Sequence, residues 1–259
     1  MEIKFRKMHG LGNDFVIIDS RTESVTLTPA QIQHICDRNF GVGCDLLTVL
    51  VPSDNADIFA CFYNADGSES AACGNATRCV ADIVMKETGK DECVLETRRG
   101  MLACTRAENN MVTVDMGEPV SFEQLDLEEG GLSEPYVVDM GNPHCVFFVD
   151  SLEDIPVEDI GRTVEHNPIF PNRTNVEFVE VFSDTKMRQR TWERGVGVTL
   201  ACGSGACAVA VAGFKSGKTQ NNVEIELDGG SLFLEIREAD GHVLMTGPYT
   251  YVFDGELTL

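Results

Sequence analysis

Two cysteines carry the first chemical signal in this chain. Each lies in a short run, Ala72-Cys73-Gly74-Asn75-Ala76 and Ala201-Cys202-Gly203-Ser204-Gly205, that leads into small and apolar residues. The pattern reads as a cysteine at the start of a buried helix. The first N–H groups of a helix lack internal partners, and the dipole there favours negative charge. A thiol at that point is expected to ionise below its ordinary value of ~8.5. Gly74 and Gly203 let a ligand approach the backbone, and Asn75 and Ser204 add hydrogen-bonding side chains. Two such helix starts could hold a substrate carboxylate. They could also invert a stereocentre: a thiolate removes the proton from one face, a thiol delivers one to the other, and the roles exchange in the reverse direction.

A free cysteine is far more often a small buried hydrophobe than a catalyst. That reading fits Cys36, Cys61, Cys79, Cys93, Cys104 and Cys207. It fits Cys73 and Cys202 poorly, because they are the same position of an internal repeat. They stand 129 residues apart, and Gly12-Asn13 and Gly141-Asn142 share that spacing, as do Asn64 and Glu193. Asp37-Arg38-Asn39 and Glu165-His166-Asn167 are offset by 128, and Gly117 and Gly247 by 130. One long repeat is not a solenoid, which needs three or more short units. It predicts two similar domains with a ligand between them. The expected division is residues 1–117, joined by a C-terminal strand over 249–259, and residues 118–248.

Each half repeats one pattern of elements. Short β-rich runs are predicted at Phe15–Ile18, Leu46–Val51, Ile58–Tyr63 and Met111–Val114. In the other half they fall at Cys145–Val149, Val176–Phe182, Val223–Leu227, Leu232–Ile236 and Val243–Met245. A first helix follows Thr28-Pro29 with Ile32 and Ile35 facing inward, and Val157–Val164 takes that part in the second half. A further helix starts after each cysteine, over 74–88 and 203–216, ending at Gly89 and Gly217. Ala206–Phe214 is apolar on every side, as a buried helix is. The fold class is α+β, with a helix wrapped by strands in each half, and not a βαβ dinucleotide-binding arrangement.

The polar residues around the cysteines add a substrate-sized requirement. Asn13 and Asn142 flank the repeat's motifs, Asn175 follows Arg173-Thr174, and His144 could orient a carboxylate or assist proton transfer. The halves differ where Asn64 faces Glu193-Arg194 in the repeat. A carboxylate beside an arginine suits an ammonium and a carboxylate together, hence a second amino-acid end on the ligand.

Composition removes other classes. The 259 residues carry a net charge of −22, which disfavours nucleic acid and anionic membrane as partners. The longest apolar stretch, Ala206–Phe214, is far short of the ~20 residues that span a bilayer, and the first ten residues do not read as a signal peptide. A cytoplasmic location is expected, with ten cysteines as thiols. No CxxC pair or spaced histidines point to a metal, no lysine lies in a recognisable pyridoxal-phosphate context, and Gly41-Val42-Gly43 lacks the third glycine of a dinucleotide loop. Neither cofactor nor metal is expected.

At these residues the chain resembles the diaminopimelate epimerase family. The matching stretches are Met8-His9-Gly10-Leu11-Gly12-Asn13-Asp14-Phe15, Asn64-Ala65-Asp66-Gly67-Ser68, Ala72-Cys73-Gly74-Asn75 and Gly141-Asn142-Pro143-His144-Cys145. Arg173-Thr174-Asn175, Trp192-Glu193-Arg194-Gly195 and Ala201-Cys202-Gly203-Ser204-Gly205-Ala206 complete them in family order. The resemblance implies cofactor-independent interconversion of LL- and meso-diaminopimelate, in lysine and cell-wall synthesis. It implies two pseudo-symmetric domains, each a curled, mainly antiparallel sheet or barrel around a central helix, in a homodimer. It assigns Cys73 and Cys202 as the acid–base pair, with His144 and Glu193 assisting. At the substrate it places Asn13, Asn64, Gly74, Asn75, Asn142, Asn175, Glu193, Arg194, Gly203 and Ser204. Leu46, Ser70-Ala71-Ala72, Ala76 and Tyr249 depart from residues commoner in the family. Two alternatives stand beside this reading: a two-cysteine racemase of another amino acid such as histidine or proline, and a thiol-rich protein that binds ligand or metal without catalysis.

Overall fold

A computed structural model describes residues 2–259. The chain divides into two compact units, the first running to Val114 and completed by Gly247–Leu259, the second comprising Asp115–Thr246.

In the first unit the strands lie in the order Thr250–Thr258, Glu2–Gly10, Asn13–Asp19, Leu46–Val51, Ile58–Asn64, Glu92–Thr97, Gly100–Ala107 and Met111–Asp115. Pairing is antiparallel except between Asn13–Asp19 and Leu46–Val51 and between Ile58–Asn64 and Glu92–Thr97. Helix α1 (Pro29–Cys36) makes the first parallel crossover. Thr28 and Gln31 form a capping box at its start, and Pro29 sits where no N–H is needed. Its Ile32 and Ile35 cluster with Val16, Ile18, Leu47 and Val49 of the sheet. Helix α2 (Gly74–Thr88) packs against the strands Glu2–Gly10, Glu92–Thr97 and Gly100–Ala107. Residues Asn75 to Met85 of α2 are all buried, so this helix is the core of its unit. Helices lie against both faces of the sheet, and Leu46–Val51 accordingly reads as an almost unbroken apolar run.

The second unit repeats this plan. Its order is Ser121–Gln124, Tyr136–Asp139, Pro143–Val149, Asn175–Ser183, Lys186–Glu193, Asn222–Leu227, Gly230–Ile236 and Val243–Pro248. The two parallel pairs recur at the same steps, between Pro143–Val149 and Asn175–Ser183 and between Lys186–Glu193 and Asn222–Leu227. Helix α3 (Val157–Glu165) makes the crossover equivalent to α1 and buries Val157, Ile160 and Val164 against Phe147, Phe178 and Trp192. Helix α4 (Gly203–Lys215) is buried through almost its whole length, Ala206 to Ala212 without exception. Each valine buried there is worth about 1.5–3 kcal/mol over an exposed one. Both units are therefore α+β, a mainly antiparallel sheet around one central helix. No helix among the described residues is long and apolar enough to cross a membrane.

Candidate active site

Each central helix begins on its cysteine. Cys73 caps α2 in extended conformation (φ −147°, ψ 107°), and Cys202 caps α4 in the same way (φ −112°, ψ 109°). Neither cysteine side chain closes the cap itself. Gly74-Asn75 and Gly203-Ser204 are the first helical residues, and their N–H groups are those an anion would meet.

Around Cys73 the partners come from the start of the strand Asn13–Asp19. Asn13 Oδ1 accepts from Asn75 Nδ2 at 3.2 Å and from the Cys73 thiol at 3.8 Å. Asn13 Nδ2 donates to Asp45 Oδ2 at 3.0 Å. Behind them Asp14 is held by Lys7 at 2.5 Å and Arg38 at 2.7 Å. Burial alone would raise the Asp14 carboxyl, but these two cations hold it down at about 2. Asn64 lies at a turn, its Nδ2 donating to Ser68 Oγ at 3.0 Å.

The sequence reading passed over Arg78, and it anchors this arrangement. Its side chain is wholly buried one turn into α2. It donates to Asn75 Oδ1 at 2.9 Å and to the Pro248 carbonyl at 3.2 Å. A charged residue inside an apolar helical run was the signal that could have found it.

Around Cys202 the equivalent loop again reaches the helix start. Asn142 Nδ2 donates to Ser204 Oγ at 3.2 Å, and Ser204 Oγ lies 3.7 Å from Cys202 Sγ. The chemistry beside this thiol is more acidic. Glu193 accepts from Thr199 Oγ1 at 2.5 Å and interacts with Cys202, Glu177 and His144. His144 Nδ1 is 2.7 Å from Glu177 Oε1, both residues being fully buried. Glu177, too, escaped the sequence reading. Asn175 is committed to the backbone at both ends, donating to Pro143 O at 3.0 Å and accepting from Arg194 N at 3.0 Å. Arg194 is exposed and donates to the Asn172 carbonyl at 3.2 Å.

One expectation is corrected. The helix start was expected to lower the thiol's ionisation, yet Cys202 is pushed well above the ordinary range. Burial is the largest cause, followed by the negative charges of Glu193 and Glu177, which outweigh the hydrogen bonds of the α4 first turn. Burial likewise raises Glu193. Cys202 is thus a thiol in the free protein. Cys79, Cys93, Cys104 and Cys207 are buried as core residues, whereas Cys61, also expected there, is half-buried.

The architecture recurs in a hydroxyproline epimerase from Agrobacterium vitis, solved with bound trans-4-hydroxy-L-proline. The two superpose with a TM-score of 0.73 at 16% identity, over 100% of this chain and 93% of the other. The fold is that of the two-unit proteins with a helix inside each curled sheet. The sequence is more specific: the pattern of the diaminopimelate epimerase family matches residues 5–122 and 136–252. Diaminopimelate epimerases from Phenylobacterium zucineum and Rhodospirillum centenum are each 46% identical over 98% of this chain, covering 97% and 92% of their own lengths. The chain belongs to the diaminopimelate epimerase family.

Proposed function

We propose that this chain interconverts LL- and meso-diaminopimelate without a cofactor, with Cys73 and Cys202 as its acid–base pair. The observation that carries the assignment is the equivalence of the two thiols. Each caps the central helix of its unit, and each is tied to an asparagine loop through the side chain two residues on. A thiolate takes the α-proton, and the other thiol returns a proton to the opposite face of the carbon. Inversion needs nothing more.

The first-turn N–H groups of Gly74-Asn75 and Gly203-Ser204, with Asn13 and Asn142, receive the α-carboxylate and ammonium. Asn64, Asn175, Glu193 and Arg194 take the second amino-carboxylate end, the exposed guanidinium being suited to a carboxylate. His144 and Glu193 assist proton transfer at Cys202. The raised Cys202 supports its part as the resting acid in the free protein.

We also place the protein in the cytoplasm as a homodimer. Its chemistry needs two reduced thiols, and Tyr251, Val252 and Phe253 expose adjoining apolar surface at 45–50% of their areas. Light scattering that returns a single-chain mass at micromolar protein would overturn the dimer.

The test of function is incubation with diaminopimelate in deuterated water, following the α-hydrogen by NMR. Exchange with inversion is expected, and loss of inversion in both Cys73→Ala and Cys202→Ala. Full activity in either variant overturns the two-thiol assignment. Exchange of histidine or proline but not of diaminopimelate overturns the substrate.

A further inference from the structure

Against the first turn of α4 lies a group of buried polar atoms that a pair of thiols does not account for. His144 and Glu177 sit on neighbouring parallel strands, where His144 pairs in register with Asn175. Their side chains meet at 2.7 Å and are closed to solvent. A Cβ on Gly205 would fall 2.6 Å from Glu177 Oε1, 3.0 Å from Gln189 Nε2 and 3.3 Å from Cys202 Cβ. The carboxyl therefore rests on the same helical turn as the thiol, and the glycine makes room for it. Three atoms of this group, His144 Nε2, Glu177 Oε2 and Gln189 Oε1, are buried without a protein partner. Buried polar atoms nearly always have one, so three in a single cluster mark a place where protons or a ligand pass.

Among the described residues the first unit has no such cluster. At the 129-residue spacing, His144, Glu177 and Glu193 correspond to Phe15, Thr48 and Asn64. The strand registers agree, since Phe15 pairs with Leu46 as His144 pairs with Asn175. The titratable group is therefore a property of the Cys202 side alone.

We propose that Glu177 is a positioning residue for the epimerisation, holding His144 with its proton on Nδ1 so that Nε2 is the ring atom that exchanges a proton with Cys202. This rests on the assignment of Cys202 as an acid–base group. A carboxylate can only accept, so Oε1 fixes which ring nitrogen carries the hydrogen. When Cys202 is to act as a base, its S–H bond breaks and an N–H bond forms at Nε2. Thiol and neutral imidazole become thiolate and imidazolium, and the reverse step restores them. Glu177 on the neighbouring strand holds His144 Nδ1, and Glu193, at the end of Lys186–Glu193, interacts with both His144 and Cys202. Glu193 and Glu177 oppose a thiolate at Cys202, so a proton that leaves it needs a positioned acceptor.

Two measurements test this: the ¹⁵N spectrum of histidine-labelled protein between pH 6 and 9, and the kinetics of Glu177→Gln. In the native protein His144 is expected to carry its ring hydrogen on Nδ1 throughout. In E177Q the side chain can present its NH2 to Nδ1 as well as its oxygen, so the proton is no longer confined to Nδ1. Its kcat is expected to fall by at least about 100-fold, with KM changed less than about threefold and a displaced pH profile. A bare Nδ1 in the native protein overturns the proposal without any variant. So does an E177Q enzyme that keeps kcat within about twofold, or one whose loss is shared equally by KM and thermal stability. Cys202→Ala separates the two levels. Full activity there sinks the assignment of Cys202 itself, while an inactive C202A beside an active E177Q sinks only the role of Glu177.

Discussion

Asn75 donates its Nδ2 to Asn13 Oδ1 at 3.2 Å, and the direction of that bond is fixed from both ends. Arg78 occupies Asn75 Oδ1 and has no acceptor to offer; Asp45 occupies Asn13 Nδ2 and has no donor when ionised. The Asn13 carbonyl oxygen is therefore the atom that meets the Cys73 thiol. In the second unit Asn142 points its Nδ2, not its oxygen, at Ser204. The loops are equivalent in position but opposite in polarity.

Asp45→Asn removes the outer end of this constraint and lets the Asn13 amide turn over. Because Asp45 is largely exposed, stability should hold within about 0.5 kcal/mol. kcat/KM for diaminopimelate is expected to drop about tenfold, or about 1.4 kcal/mol of transition-state stabilisation. Steady-state kinetics and a thermal melt of the same preparation check both halves.

Arg78→Met removes the inner end and leaves the Asn75 and Pro248 oxygens short of a donor in a buried place. Each such orphan costs about 1–3 kcal/mol, so urea unfolding should show a loss of about 2–5 kcal/mol. A variant as stable as the native protein would show that the guanidinium is not the anchor.

The pH dependence of stability follows from the buried thiols. Cys202 and Cys145 are raised, and Cys79 is pushed up to about 12, in each case by burial first. Above ~8.5 the unfolded chain releases these protons while the folded one retains them. Unfolding is then favoured as pH rises, and the stability present below ~8.5 is lost through the range of the folded values. Melting temperature should fall between pH 8.5 and 10, and less steeply in Cys79→Ala. The acid side runs oppositely at Asp14, held at about 2: its contribution is present above ~3.9 and is lost as pH falls towards 2.

Two glycines separate crowding from backbone freedom. Gly205→Ala would drive a methyl to 2.6 Å from Glu177 Oε1, costing about 1–3 kcal/mol and disturbing the Cys202 turn. Gly217 follows α4 at φ +74° with open space around it, so Gly217→Ala should cost about 1 kcal/mol from strain alone. Activity should fall in the first variant and persist in the second. Equal activity in both would show that the Glu177 contact is irrelevant to the thiol.

Much of this arrangement is legible in the sequence because duplication writes each element twice. The 129-residue spacing that pairs Cys73 with Cys202 also pairs α1 with α3 and α2 with α4, and both parallel crossovers recur. The central helices were legible because Ala206–Phe214 has no polar face and because Gly89 caps α2 while Gly217 follows the Ser216 cap of α4. Strands such as Glu2–Gly10 and Gly100–Ala107 were missed, since their charged residues on the outer face break up the apolar runs. Arg78 and Glu177 were missed for the reverse reason: a charge in an apolar stretch looks like a solvated position until packing closes both sides. The raised Cys202 was missed because the dipole of a helix is visible in sequence, whereas two carboxylates arriving from other strands are not.

The closing strand Thr250–Thr258 lies antiparallel to Glu2–Gly10, and so the first unit is completed by residues that follow the whole second unit in the chain. During synthesis the second unit, Asp115–Thr246, leaves the ribosome whole while the first still lacks its final strand. The half begun first is therefore the half finished last. Until then the strand Glu2–Gly10 has an unpaired edge, and chaperones or premature pairing would act there.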